Sequence, residues 1–324
     1  TLFAWSPIEY ERAAALGVEA NQLGAGAIRR QLAFAVSQIF YNVQGLERLK
    51  AASERAIELA DQRKADAERK KALGASVELD HLRAEIERAR AEQNLAAAEE
   101  GQRQLLETLG ILIDGAAPTR LAPVPAVEAV TGSLDELVDG AVAQRPELAA
   151  RRRAMAASQA LVDEAELRWL PILTLSANAR VSDTEGFTGE KWSWQLGLNL
   201  VVPLFDRGVR YSDLHERRQD LEVQSAEVER QVKAIRDEIR RAQVELVAAE
   251  RQVTLAERQT ELARQSAKVV EHALKAGAVT NLETTEADAN LRIAEESQES
   301  VRWRRDLARL TLRHAAGLLP VPAP

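Results

Sequence analysis

Residues able to do covalent or metal chemistry are scarce in this 324-residue chain. It has no cysteine, which removes disulfides, thiolate nucleophiles and cysteine–zinc sites together. The four histidines, His81, His215, His272 and His314, do not stand at metal-ligand spacing within a helix. Asp80 followed by His81 is a poor ligand set by itself, so all four read as solvated helix-surface residues. No serine–histidine–aspartate set, phosphate loop or buried carboxylate pair has usable context. The sequence therefore predicts no catalytic residue, no metal and no cofactor. Arg151–Arg152–Arg153 and Arg302 with Arg304–Arg305 share their helices with acidic residues and read as solvated faces. A net charge of −7 and a pI near 5.4 argue against nucleic acid as a partner.

The spacing that does carry chemistry is an alternation, and the chemistry is partition between oil and water. Leu173, Leu175, Ala177, Ala179 and Val181 alternate with Thr174, Ser176, Asn178 and Arg180. After a polar stretch containing Gly186 and Gly189, the pattern returns. Trp192, Trp194, Leu196, Leu198, Leu200 and Val202 alternate with Ser193, Gln195, Gly197 and Asn199. A period of two puts each set on one face of a strand. Each strand is near the roughly 9–11 residues that cross a bilayer as tilted β-structure. The expected membrane-facing residues are Leu173, Leu175, Ala177, Ala179, Trp192, Trp194, Leu196, Leu198, Leu200 and Val202. Both tryptophans lie at the loop end of their strand, where an interfacial aromatic belt belongs. A soluble amphipathic hairpin would show the same alternation, but here no further strand is predicted to complete a soluble sheet. A lone hairpin is marginal in water, and in lipid its edges must be closed. Strands from other copies must then complete a barrel, so a homo-oligomer is expected.

The elements around this hairpin are long helices. The hydrophobic fraction is 46% but aromatics are only 4%, the balance of a coiled coil rather than a thick globular core. No run of about 18 uncharged apolar residues exists to form a transmembrane helix. Residues 209–276 contain neither glycine nor proline, enough for one helix roughly 100 Å long. Alternating steps of four and three give Leu221, Ser225, Val228, Val232, Ile235, Ile239, Ala242 and Leu246, then Ala249, Val253, Ala256, Thr260, Ala263, Ala267, Val270 and Leu274. Only Ser225 and Thr260 break the apolar rule. A seam sustained over so many heptads predicts helices packed side by side, knobs into holes. This helix is expected to stop near Gly277 and a second to run from about Asn281 to Ala316. The design also appears earlier, with a helix from about Ile8 to Leu73, a turn at Gly74 and a helix to Leu109.

The two halves are related in sequence. Leu2–Phe3 corresponds to Leu204–Phe205, Gly74–Ala75 with Leu79–Asp80 to Gly277–Ala278 with Leu282–Glu283, and Gly110 to Gly317. The separation grows along this series, which predicts a duplicated unit whose second return helix is longer by about one turn. The fold class expected is mainly α with a membrane β-hairpin: antiparallel coiled-coil helical hairpins forming an α-barrel, plus β-barrel strands. The domain plan is a first helical hairpin over 1–114, a Pro/Ala linker over 115–132, and helices leading to the membrane over 133–170. The β-hairpin (171–203), a second long helical hairpin (204–319) and a tail (320–324) follow. Ser133 is expected to cap a short helix, and Arg145–Pro146–Glu147–Leu148 to start another with proline in its first turn.

In their order and spacing these pieces resemble the TolC family of outer-membrane factors over nearly the whole chain. They are Arg145–Pro146–Glu147–Leu148 before a long helix, Pro171 opening a strand, and Pro203–Leu204–Phe205–Asp206–Arg207–Gly208 returning to helix. A glycine followed six residues later by an acid, Gly74 with Asp80 and Gly277 with Glu283, marks the tips. The resemblance implies a homotrimer with a 12-stranded barrel in outer-membrane lipid and a helical tunnel in the periplasm. It further implies a passive export duct that joins a periplasmic adaptor protein and an inner-membrane pump and needs no catalytic group. Adaptor docking would fall at Gly74, Ala75, Leu79, Asp80, Gly277, Ala278, Leu282 and Glu283. The pattern departs at the tips, where Lys70–Lys71 and Ala273–Leu274 replace an Arg–aromatic pair. It departs also at the start, where an opening helix and β-hairpin would precede Leu2. The chain accordingly reads as a trimmed piece, with any export signal upstream. The rival readings are a periplasmic adaptor, which would need lipoyl-like β segments flanking its helical hairpin, and a soluble coiled-coil scaffold, which gives no reason for Trp192 to Val202.

Overall fold

The computed structural model describes residues 6–72, 78–123, 125, 127–181, 192–202 and 204–319, with the backbone alone for 70–72, 78–80 and 281. Six helices and two strands occur among them. In chain order they are α1 (Ser6–Ala72), α2 (Glu78–Leu112), α3 (Leu134–Gln144), α4 (Pro146–Leu167), β1 (Ile172–Val181), β2 (Trp192–Val201), α5 (Val209–Lys275) and α6 (Asn281–Ala315). Two compact units are built from them: Thr1–Arg29 with Val142–Arg236, and Arg30–Ala141 with Asp237–Pro324.

In the second unit, the long helices form by the seam. Ile235, just before it, and then Ile239, Ala242, Leu246, Ala249, Val253, Ala256 and Thr260 are buried in succession. The flanking positions Val228, Val232, Ala263, Ala267, Val270 and Leu274 are half-buried, and Ser225 is exposed. Small residues fill the seam, so backbones lie close and little side-chain entropy is lost. Thr260, which breaks the apolar rule, is fully inside because its hydroxyl donates to the Ala294 carbonyl of α6 at 3.1 Å. The outer faces carry crosswise ion pairs: Arg302–Glu257, Arg264–Glu295 and Arg309–Glu250 between α5 and α6, and Lys50–Glu99, Lys64–Glu85 and Arg88–Asp61 between α1 and α2. Exposed pairs of this kind contribute little each; they set register more than stability.

The lengths of these helices correct one expectation. α1 and α5 both have 67 residues, and α2 and α6 both have 35. Val209 follows Ser6, and Asn281 follows Glu78, by the same 203 positions. The second return helix is therefore not longer. α6 ends on Gly317, at φ +77°, whose following residue Leu318 donates back to Arg313. α2 ends likewise on Asp114, at φ +51°, with Gly115 donating back to Gly110. Aspartate tolerates the left-handed region where most side chains do not, so the stop hid behind a residue that is not glycine. Gly110 has another task. A Cβ there would stand 2.9 Å from the Ala117 nitrogen, so it lets the linker backbone pass close.

The linker itself is tied down. Leu121 packs on the core of Ile39, Val43 and Leu109, Tyr41 donates to the Pro125 carbonyl at 2.7 Å, and Arg313 pairs with Glu128 at 2.9 Å. Ser133 then caps α3 as expected: its hydroxyl accepts from the Glu136 amide while the Glu136 carboxylate accepts from the Ser133 amide.

Candidate functional site

β1 and β2 pair antiparallel over ten residues each. Their register decides what each face is. Leu173 lies opposite Leu200, Leu175 opposite Leu198, Ala177 opposite Leu196, Ala179 opposite Trp194 and Val181 opposite Trp192. In between, Thr174 meets Asn199, Ser176 meets Gly197, Asn178 meets Gln195 and Arg180 meets Ser193. Apolar residues thus meet only apolar ones, and cross-strand partners share a face. A slip of one residue would destroy both faces. Ile172 opposite Val201 is the one apolar pair on the polar side, at the helix end of the hairpin. Val202 lies one residue beyond β2, though the alternation extends to it.

The apolar face has no cover from the chain. Trp194 is 68% exposed and Leu198 66%, with Trp192, Leu196 and Leu200 similarly bare. Scattered surface leucines need no explanation, but a contiguous row of this size marks a surface made for another apolar phase. Gly197 belongs to the polar face for a steric reason: a Cβ there would stand 2.9 Å from the Ser176 hydroxyl, which donates to the Gly197 carbonyl.

Below the hairpin, a polar lock holds its two feet. The Arg210 guanidinium sits 4.4 Å over the Trp169 ring and donates to Asp206 at 2.6 Å. Asp206 also accepts from the amides of Gly208 and Arg210, so it caps α5 through a turn in which Arg207 and Gly208 are both left-handed, at φ +61° and +85°. These donors, the Arg210 side chain foremost, hold the Asp206 carboxyl below its ordinary value. Arg168 at the end of α4 bridges the buried Glu164 at 2.7 Å and Asp213 of α5 at 2.8 Å. Its hydrogen bond to Glu164 raises its affinity for the proton. Ser6 of α1 donates to the same Glu164. Sequence reasoning used Asp206, Arg207 and Gly208 only as part of a motif and missed Glu164, Arg168 and Trp169. An acid and a base four apart on one helix, followed by tryptophan, was the available signal. Next to the lock, Leu204 and Phe205 are almost fully exposed.

At the tips, Gly277 takes φ +71° and ends α5: Ala278 donates to the Ala273 carbonyl at 2.9 Å and Gly277 to Leu274 at 3.0 Å. Glu283 sits in the first turn of α6, where its carboxylate accepts from the Thr280 amide at 2.7 Å and from the Thr280 hydroxyl. The backbone donor holds the Glu283 carboxyl below its ordinary value. The glycine-to-acid spacing therefore has a structural meaning, one helix stop and the next helix start. Leu282 lines a shallow cleft between α6 and α2 with Ile86 and Arg83. Gly74 and Ala75 lie outside the described residues, as does Leu2–Phe3 of the repeat argument, while Leu79 and Asp80 fall in the first turn of α2.

Two of the four histidines are not solvated as expected. His314 stacks on Phe34, ring centroids 4.0 Å apart, and His81 pairs with Glu85 at 3.5 Å; His215 and His272 are exposed. Among the described residues no acidic, histidine or cysteine cluster could hold a metal, and no helix is long and apolar enough to cross a membrane.

The family model for outer membrane efflux proteins matches residues 137–318, more than half of the chain and the whole of the hairpin with its lock. The chain belongs to the outer membrane efflux protein family. No curated protein sequence matches it. Solved structures similar to this efflux protein include a membrane protein from Pseudomonas aeruginosa, 19% identical, covering 96% of this chain and 74% of that one with a TM-score of 0.83. CusC, described through its folding and transmembrane channel formation, is 17% identical with the same coverages and a TM-score of 0.84. The open MtrE outer membrane channel of Neisseria gonorrhoeae is 18% identical, covering 96% and 72%, with a TM-score of 0.80. At these identities the likeness is one of fold. The efflux protein is mostly helical with a small two-stranded sheet, as that fold requires.

Proposed function

We propose that this chain is the outer-membrane channel component of a tripartite efflux pump or type I secretion system, a passive duct through which an energised pump expels its cargo. The observation that carries the reading is the hairpin register, which gathers every large apolar side chain from Leu173 to Leu200 onto one bare face. Family membership and the outer-membrane channels among its structural neighbours support it. In this reading the apolar face meets outer-membrane lipid, and Trp192 and Trp194 sit at its border. The polar face of Thr174, Asn178, Arg180 and Gln195 lines water. Two strands cannot close a barrel, so further strands come from other copies in a homotrimer. The long helices stand in the periplasm as the tunnel wall, arisen by duplication, for which the common 203-residue spacing of both helical hairpins speaks. The domain plan follows: helical hairpins over 1–114 and 204–319, a linker over 115–132, and a membrane module over 133–203.

At the tips, Ala278, Leu282 and Glu283 and their first-hairpin counterparts Ala75, Leu79 and Asp80 would meet the periplasmic adaptor, with Gly74 and Gly277 shaping the turns. The inner-membrane pump supplies the energy, so the duct itself works without catalytic group or cofactor. A scan of single cysteines from 192 to 202 in membranes, read with a water-soluble maleimide, tests the proposal. Positions 192, 194, 196, 198, 200 and 202 should be shielded and those between them labelled. Uniform labelling, with the protein recovered in the soluble fraction, would end it.

A further inference from the structure

The contact between α1 and α6 inside the chain is a template for one that the chain cannot complete alone. Gly45 of α1 lies so close under the Trp303 ring of α6 that a Cβ there would be 2.6 Å from it. Arg63 donates to Asp288 at 2.8 Å, and Arg48 stands 3.9 Å from Glu299. α1 and α6 belong to different helical hairpins, and each has a counterpart of equal length 203 positions away: α5 for α1, α2 for α6. Shifted by that spacing, Gly45–Trp303 becomes Ala248–Glu100, and Arg63–Asp288 becomes Ser266–Glu85. These four residues are all exposed.

The two equivalent faces differ in cover. On α1, Ala56 is buried and Ala52 half-buried in the groove shared with α6. On α5, Leu255 and Leu262 occupy the places of Ala52 and Leu59, yet they are 60% and 58% exposed. Larger apolar residues on the barer face argue for a cover supplied from outside the chain. Charge says which cover fits. The α5 face adds Arg251 and Arg258, whereas the matching α2 face presents Glu85, Glu92 and Glu100, with Ala89 between them and all exposed. Opposite signs at matching heights steer two such helices together and fix their register.

We infer that α5 of one copy docks antiparallel on α2 of a second copy, in the register of the α1–α6 contact. This rests on the oligomeric reading above and deepens it by naming the joint. Because the two faces differ, the contact is head to tail and repeats until a ring closes. Arg258 meets Glu92, and Leu255 and Leu262 cover Ala89 and the aliphatic stems beside it.

Cysteine pairs read this directly, since the chain has no cysteine of its own. Ala248→Cys with Glu100→Cys, oxidised in membranes, should give a ladder of covalent dimers and higher species on a denaturing gel, while each single variant gives none. Ser266→Cys with Glu85→Cys, joined by a short bis-maleimide, should repeat the result. The pair Arg63→Cys with Asp288→Cys, under the same reagent, should link only within one chain. A native-gel oligomer that yields no ladder from either intersubunit pair overturns this joint and leaves the channel reading standing. A monomer in both membranes and detergent overturns both.

Discussion

Two apolar rows run through this protein, and the chain treats them in opposite ways. Along α5, eight seam positions from Ile235 to Thr260 are buried by the chain's own helices. Along the hairpin, a row from Leu173 to Leu200 is equally regular and richer in leucine and tryptophan, yet nothing in the chain covers it. Burying apolar area is worth roughly 25 cal/mol per Å², so a protein surrounded by water would fold its larger side chains inward first. This one spends alanine on its interior and leucine on its exterior. The difference teaches that the two rows face different solvents: the seam faces protein, and the hairpin waits for lipid.

That contrast can be broken from either side. The largest effect is expected at Ile239, which is fully buried. Ile239→Ala leaves a cavity between helices and should cost about 2–5 kcal/mol per copy, seen as a lowered unfolding midpoint of the solubilised oligomer. Leu198→Arg should come next, at about 2–4 kcal/mol if the site lies near mid-membrane. Asn199→Arg, one residue on and facing water, should be almost silent. Recovery in the outer-membrane fraction measures both, and equal tolerance of the two would erase the distinction between the faces. Thr260→Val keeps the volume and removes the hydroxyl that reaches Ala294, so a loss of about 1 kcal/mol is expected. Thr260→Ala should lose more through its void, and the unfolding midpoints of the two variants separate hydrogen bond from packing.

The smallest effect sharpens the picture at the tip. Glu283 is held below its ordinary value of 4.5, first by the hydrogen bond from the Thr280 amide. A carboxyl depressed in the folded state contributes in full above its ordinary value, and the contribution is lost as pH falls through the lower folded one. Amide protection over the first turn of α6 should therefore decline below about pH 4.5. In Glu283→Gln that acid-dependent step should vanish. A step that persists in the variant would assign it to another group.

Much of this was legible in the residues. A period of two over 173–202 and a 3-4 repeat over 221–274 are local properties, since backbone geometry turns spacing directly into faces. The antiparallel strands, the long helices, the Gly277 stop and the Ser133 cap follow from such short-range rules. Harder to read were features in which one residue substitutes for the type a rule expects. Asp114 ends α2 in a left-handed conformation that glycine usually takes, which displaced the predicted helix end to Gly110. Thr260 sits in a seam as if apolar, because its hydroxyl finds a carbonyl. His314 is a histidine that stacks rather than dissolves.

The sequence by itself determined the periods, hence the elements and which side chains share a face of each. Only the tertiary structure decided which faces are covered: Gly45 under Trp303, the linker lashed to Tyr41 and Arg313, the hairpin feet locked by Asp206, Arg210, Trp169 and Arg168. The physical reason is range. Periodicity acts between residues a few bonds apart, whereas cover depends on partners tens or hundreds of positions away, whose meeting is set by the packing of whole helices.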